Sequence, residues 1–169
     1  MPELVTHTLV TVFIRRSARA HYPVLLLGAV LPDLIHRGGS ILLDWVLKPR
    51  LLTPDDIPAS WYLTPFNSPF GIVAVAYGLA LLCEASIRRD VFRWLCIGIG
   101  SHFFLDRLQR ILPGHEAGGY PWLFPFSWYS NTIGLFWPED SLYAIPGLVI
   151  VVFIWEWRIR RRESKWVNG

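Results

Sequence analysis

The chain reads as all-α: a polytopic membrane helical bundle of about five membrane helices plus a short interfacial helix, in one domain over residues 1–169. Three observations predict this. Hydrophobic residues make up 53% of the 169 and charged residues only 17%, against about 25% charged in a typical soluble domain. The apolar residues come in long runs closed by arginine clusters or by Pro and Gly. Aromatic residues reach 15%, with nine Trp, and Trp favours the lipid–water boundary.

The first run, Leu4 to Ile14, is short, carries His7, and ends at Arg15, Arg16 and Arg19. It has no basic stretch in front of it, so no cleaved leader is expected. The second run, Tyr22 to Ile35, has Pro23 at its start and closes in Leu31-Pro32-Asp33-Leu34-Ile35-His36 followed by Gly38 and Gly39. Ile41 to Leu47 is too short to span a bilayer and holds Asp44; it is the expected interfacial piece. Residues 48–63 form a polar, proline-containing loop.

The third run begins at Asn67-Ser68-Pro69 and continues to Ser86. Ser68 suits an N-cap and Pro69 the first helical turn. Asp90 is placed to cap a fourth helix, from Val91 to about Leu112, that Pro113-Gly114 ends. The segment 120–137 is rich in Trp, Phe and Pro, and offers anchor side chains to lipid or to a protein partner. The last helix starts near Ser141, carries Pro146, and reaches Trp157, with a basic tail from about Arg158.

The charge pattern orients these runs. The net charge is +3, but the basic residues sit at the ends of apolar runs rather than in a patch, so nucleic acid is not an expected partner. The turns at Arg15–Arg19 and Arg88–Arg89, the tail from Arg158, and Arg93 hold eleven of the sixteen Lys and Arg residues. The positive-inside rule makes that side cytoplasmic. Five crossings follow, with the N-terminus outside and the C-terminus inside. Glu84 stands four residues before Arg88, in reach of an i,i+4 pair. Cys83 and Cys96 belong to no C-x-x-C pair, which leaves no disulfide or thiolate-zinc framework to expect.

That topology brings the polar residues of the apolar runs to one leaflet. His7, Asp33, His36, His102 and Asp106 all fall in the outer half. His102 and Asp106 are four apart and share a helix face. An aspartate at mid-membrane costs roughly 2.5–3.5 kcal/mol on insertion scales, and a cation with further ligands would offset it. Neutral imidazole with carboxylate suits zinc, and also manganese or iron. Such a site can lower the pKa of a bound water to about 7, and a remaining carboxylate, Asp33 or Asp106, can act as base. Asn67 and Asp44 are additional candidate ligands, and Arg107 or Arg110 a candidate stabiliser of developing negative charge. The competing reading of the same residues is ordinary packing: Asp106 pairing with Arg107 or Arg110, His102 with a backbone carbonyl, Asp33 as a cap, and His115 with Glu116 in a solvated loop.

The order Thr6-His7, Leu31-Pro32-Asp33-Leu34-Ile35-His36, His102-x-x-x-Asp106 and Leu123-Phe124-Pro125-Phe126-Ser127 resembles the inner-membrane metal-dependent hydrolases of the YdjM/YbcI type, over about Thr6 to Ser127. That family resembles in turn the zinc-dependent phospholipase C and nuclease superfamily. The resemblance implies an all-helical fold with a His/Asp metal cluster acting on a phosphoester or lipid-like substrate. Two positions depart from the family pattern. Its P-D-x-D-H has Ile35 in place of the second Asp, and its T-H-S reads Phe66-Asn67-Ser68 here. The expectation is a membrane-bound metal-dependent hydrolase, with membrane lipids around it and zinc as the first candidate metal. The alternative is a family member without catalysis, serving as a membrane scaffold or accessory subunit.

Overall fold

The computed structural model describes residues 2–43, 45, 62–108, 123–127, 133–135 and 140–167. Among them every regular element is helical. Five helices carry the architecture: α1 Pro2–Ala18, α2 Tyr22–Leu42, α3 Pro69–Leu81, α4 Ala85–Leu108 and α5 Asp140–Val167. The expected all-α class is therefore observed.

The expectation of five crossings is met only in part. Among the described residues, α2 is the one helix long and apolar enough to cross a membrane. Its 21 residues span about 31 Å at 1.5 Å per residue, close to the hydrocarbon thickness of about 30 Å. Leu4–Arg15 and Pro69–Leu81 are apolar but shorter. In α4, Arg88, Arg89, Asp90, Arg93, Asp106 and Arg107 lower the average.

Several boundaries differ from the sequence reading. The glycines at 38 and 39 do not stop α2. It passes through a π-helical turn, Leu34–Gly38, and continues as Gly39–Leu42, so the interfacial piece is partly an extension of α2. Helix α3 ends at Leu81 and the turn lies at Leu82–Glu84, where the Cys83 N–H bonds the Ala80 carbonyl (3.1 Å). Helix α4 then starts at Ala85, so Asp90 lies inside it. Glu84 is exposed, and the Arg88 guanidinium reaches the carbonyls of Leu81 (3.5 Å) and Cys83 (3.4 Å) instead. Orphan carbonyls at a helix C-terminus attract a cation in this way. Helix α5 continues to Val167, ten residues past Trp157. The Ser68 cap does form: its Oγ accepts from the Gly71 N–H (3.1 Å) and donates to the Pro65 carbonyl (2.7 Å).

The core is built on α2 against α4. Buried residues of α4 recur as Trp94, Leu95, Gly98, Ile99, His102, Phe103 and Asp106, a single helical stripe. It meets Leu25 and Leu31 from α2, and Ile72 and Ala76 from α3. Gly28 and Gly98 let the two backbones touch. A Cβ on Gly28 would strike the Leu95 carbonyl, and one on Gly98 the Leu25 carbonyl and the Ala29 nitrogen. The pairs His21–Trp94 at one end and Ala29–His102 further along show that α2 and α4 run in the same direction. Helix α1 runs against both, since Ala18 packs with Trp94 while His7 meets Asp106. Its Phe13 ring meets Trp155 of α5 edge-on at 5.7 Å.

Candidate metal centre

The last two polar members of the α4 stripe, His102 and Asp106, face into the bundle where apolar residues would otherwise sit. They are 1% and 4% exposed. From the opposite wall, α1 contributes His7, 2% exposed. His7 shares its helix face with Thr11, also buried, whose hydroxyl donates to the Thr8 carbonyl (2.7 Å) and lies 3.3 Å from the Tyr22 hydroxyl. The Tyr22 contact ties this face of α1, the one that carries His7, to the start of α2.

The three side chains converge. His7 Nε2 stands 3.1 Å from Asp106 Oδ1, and His102 Nε2 stands 3.1 Å from Asp106 Oδ2. The two imidazoles stack with centroids 3.9 Å apart and planes 21° from parallel. One ligand atom from each residue lies within 4.8 Å of the others. Two ligand atoms on a tetrahedral zinc with bonds of about 2.0 Å are about 3.3 Å apart, so the observed separations suit a shared cation.

The hydrogen bonding fits the same ion. His102 Nδ1 lies 2.8 Å from the Ala29 carbonyl oxygen. A carbonyl only accepts, so Nδ1 carries the proton and donates. In the neutral ring the lone pair is then on Nε2, the atom that faces Asp106. His102 Nε2 and Asp106 Oδ2 have no hydrogen-bond partner, and neither does His7 Nδ1. Lone pair facing lone pair is repulsive, and buried polar atoms left unpaired cost free energy. A cation removes both penalties. A metal-ligating imidazole commonly gives its other N–H to a backbone carbonyl, as His102 does to Ala29. That bond exists because Gly28 and Gly98 let α2 approach α4 so closely.

The other sequence candidates lie around this group. Asp33, 9% exposed, stands outside the three-residue cluster. Its Oδ1 pairs with Arg37 Nε at 3.2 Å, and its Oδ2 has no hydrogen-bond partner. His36 is half-buried in the π turn and is likewise outside the cluster. Arg107 is half-buried beside Asp106. Asn67 is in the short 3-10 turn Thr64–Asn67 before α3. Ile35 packs against the core that holds Leu31 and Phe103. Asp44, Arg110, His115, Glu116 and most of 120–137 lie outside the described residues. Arg37 was not singled out by its type or spacing; its place one helical turn after Asp33 was the available signal.

Comparison of the chain with protein-family models, curated proteins and solved structures finds no match.

Proposed function

We propose that the protein is a membrane-bound metal-dependent hydrolase of the YdjM/YbcI type, acting on a phosphoester or lipid-like substrate near the non-cytoplasmic membrane surface. The observation that carries this reading is the convergence of two buried imidazoles on one buried carboxylate. His102 commits its Nδ1 proton to the Ala29 carbonyl and presents Nε2 to Asp106 Oδ2 at 3.1 Å, while His7 Nε2 stands 3.1 Å from Asp106 Oδ1. His7, His102 and Asp106 hold the ion, with zinc favoured by the N/N/O donor set and manganese or iron as alternatives. A bound divalent cation supplies Lewis acidity and an activated water. Asp33 takes up the proton shed in the reaction, through the Oδ2 that no hydrogen bond occupies. Ala29 holds His102 in one tautomer, and the surrounding apolar core excludes bulk water.

The membrane orientation belongs to the same proposal. Helices α1, α2 and α4 place the arginines at 15, 88, 89 and 93 at one end and His7, Asp33, His102 and Asp106 toward the other. From Asp90 to Asp106 is about 24 Å along α4. A multi-pass arrangement in a prokaryotic inner membrane, arginines inside, sets the metal centre near the outer surface. Exposed apolar side chains on α5, such as Ile150, Phe153 and Trp157, suit contact with lipid.

The test is metal content of detergent-purified protein by elemental analysis. Wild type retains about one divalent ion per chain, while His102→Ala and Asp106→Ala lose it. Full stoichiometric metal in both variants would rule the site out. A second reading, a metal-bound scaffold without turnover, draws on Ile35 and Asn67. Ile35 is committed to apolar packing, and Asn67 stands where the resembled pattern has an imidazole, so neither position supplies the ligand that the resemblance expects there. Metal binding with no hydrolysis of any phosphoester supplied would favour that reading.

A further inference from the structure

Helix α5 packs on α1, where Phe13 meets Trp155 edge-on. Beside that contact the two helices leave a groove of ≈ 390 Å³, lined by Leu9 of α1 and by Val149, Val152, Phe153, Glu156 and Trp157 of α5. Residues 149, 152, 153 and 156 follow the i, i+3, i+4, i+7 spacing of one helical stripe. The last place on that stripe, where the pattern asks for an apolar side chain, holds the Glu156 carboxylate. Glu156 is half-buried, and among the described residues nothing pairs with it. The groove is therefore charged at one end only, about 10 Å along the axis from Val149. That end carries the exposed Trp155 and Trp157, and the Arg161 guanidinium lies over the Trp157 ring at 4.0 Å. Trp and Arg at one level of an apolar helix mark the headgroup region. The groove then runs from headgroup depth into hydrocarbon.

We propose that this groove binds one aminophospholipid of the arginine-side leaflet, its ammonium group on the Glu156 carboxylate and an acyl chain along Val149, Val152 and Phe153. The inference rests on the membrane placement and not on the hydrolase, since it uses none of the metal ligands. Charge selects the head. Ionisable side chains inside a membrane pair with something, and Glu156 has no partner among the described residues of its own chain. An ammonium donates N–H to a carboxylate oxygen in a charge-assisted hydrogen bond. A choline head brings positive charge without an N–H, and a glycerol head leaves the lipid with net negative charge. Size selects the rest. A helical segment as long as the groove, side chains included, fills about 800–1,000 Å³, about twice the space between α1 and α5 or more. A partner's helix is therefore too wide to enter, and an acyl chain is not. An isologous dimer through this face would set Glu156 against Glu156, which leaves the charge uncompensated. The lipid instead fills the gap beside the Phe13–Trp155 contact and ties α5 to α1.

The experiment is a lipid titration of full-length, delipidated protein in detergent, read by native mass spectrometry. The probes are the dioleoyl forms of phosphatidylethanolamine, phosphatidylcholine and phosphatidylglycerol. Wild type should bind one phosphatidylethanolamine per chain about tenfold more tightly than either other lipid. Glu156→Gln should lower that affinity to the level of phosphatidylcholine. Val152→Trp fills the apolar wall and keeps the carboxylate, and it should weaken all three lipids. Zinc content read on the same samples should be equal in wild type and both variants, whatever its value, so that failure of the metal centre and failure of the lipid site are told apart. Unchanged phosphatidylethanolamine affinity in Glu156→Gln overturns the proposal, as does a wild type that binds the three lipids equally. A dimer that forms without lipid and dissociates in Glu156→Gln also overturns it, and gives the groove to a second copy of the chain.

Discussion

Replacing Gly98 by alanine tests whether the metal centre depends on the α2–α4 backbone contact. A Cβ at this position would lie 2.6 Å from the Ala29 nitrogen and 2.9 Å from the Gly28 carbonyl carbon, where ordinary contact begins at 3.4 Å. Both partners are backbone, so no side chain can swing aside. The Leu25 carbonyl oxygen is closer still, so the helices must separate by more than about 0.8 Å to restore contact distance. Applied along the His102 Nδ1 to Ala29 bond, that shift lengthens 2.8 Å to beyond about 3.6 Å, which is no longer a hydrogen bond. Overpacking of this kind costs about 1–3 kcal/mol, and the lost bond about 1 kcal/mol more. Loss of an outer partner of a ligating imidazole typically lowers metal affinity 10- to 100-fold. Chemical denaturation in detergent reads the first effect, and zinc competition with a chelating dye the second. Gly100→Ala is the control. It lies on the same helix, and its added Cβ meets nothing within 4 Å, so it should be neutral or stabilise by about 0.5–1 kcal/mol. Wild-type stability and zinc affinity in Gly98→Ala would refute the coupling between helix approach and ligand geometry.

Three further outcomes are expected. Ser68→Ala removes both the cap on Gly71 and the bond to the Pro65 carbonyl; it should cost about 1 kcal/mol by denaturation and leave zinc stoichiometry unchanged. Chelation should lower the unfolding midpoint, and added zinc should raise it with concentration, by about 2.7 kcal/mol at a hundredfold excess over Kd; a midpoint indifferent to zinc would contradict binding to the folded state. Ile35→Asp, which introduces the second Asp of the YdjM/YbcI-type pattern, should destabilise by about 2 kcal/mol or more without adding a second metal per chain, because Ile35 packs on the Leu31–Phe103 cluster and an unpaired carboxylate there is costly; two metals per chain by elemental analysis would show that the position can hold a ligand.

The legible part of the site was the part encoded by regular helical spacing. His102 and Asp106 are four apart on an uninterrupted α-helix, and the structure presents them together. His7 was legible only through topology, because nothing local distinguishes a histidine in an apolar run from a packing residue. Asp33 and His36 were harder, for a conformational reason. Their i,i+3 spacing implies a shared face only on an α-helix, and a π turn begins at Leu34. Each residue of a π turn advances less than the 100° of an α-helix, so His36 departs from the face that carries Asp33. Pro32 marks the place, since it has no N–H to return to the Gly28 carbonyl. The sequence shows that a hydrogen bond is missing there, not how the helix absorbs it. The boundary between α3 and α4 was misplaced because a charge cluster reads as a turn. Arg89 and Asp90 are solvated on the exposed start of α4, and the half-buried Arg88 satisfies the end of α3.

Two independent lines place the polar residues of the bundle at one end. The first uses only where the arginines fall along the chain. The second uses only which side chains touch. His21 with Trp94 and Ala29 with His102 make α2 and α4 parallel, and Ala18 near Trp94 with His7 at Asp106 makes α1 antiparallel to both. Charge distribution has no part in those contacts, yet they separate the same arginines from the same histidines and carboxylates. Parallel α2 and α4 need a return segment outside their contact, and α3 supplies it by running the other way into the Leu82–Glu84 turn. The consequence for function is chemical. The end of the bundle opposite Arg15, Arg88, Arg89 and Arg93 is the end where Asp106 is buried between two imidazoles. Of the arginines at that end, Arg37 pairs with Asp33, and the Asp106 oxygens face the two imidazoles, where a proton or a bound ion can supply compensating charge. With the Nδ1 proton of His102 committed to Ala29, a proton can serve either by neutralising Asp106 itself or by making one imidazole cationic, 3.9 Å from the stacked face of the other. A metal serves without placing a second charge on either ring.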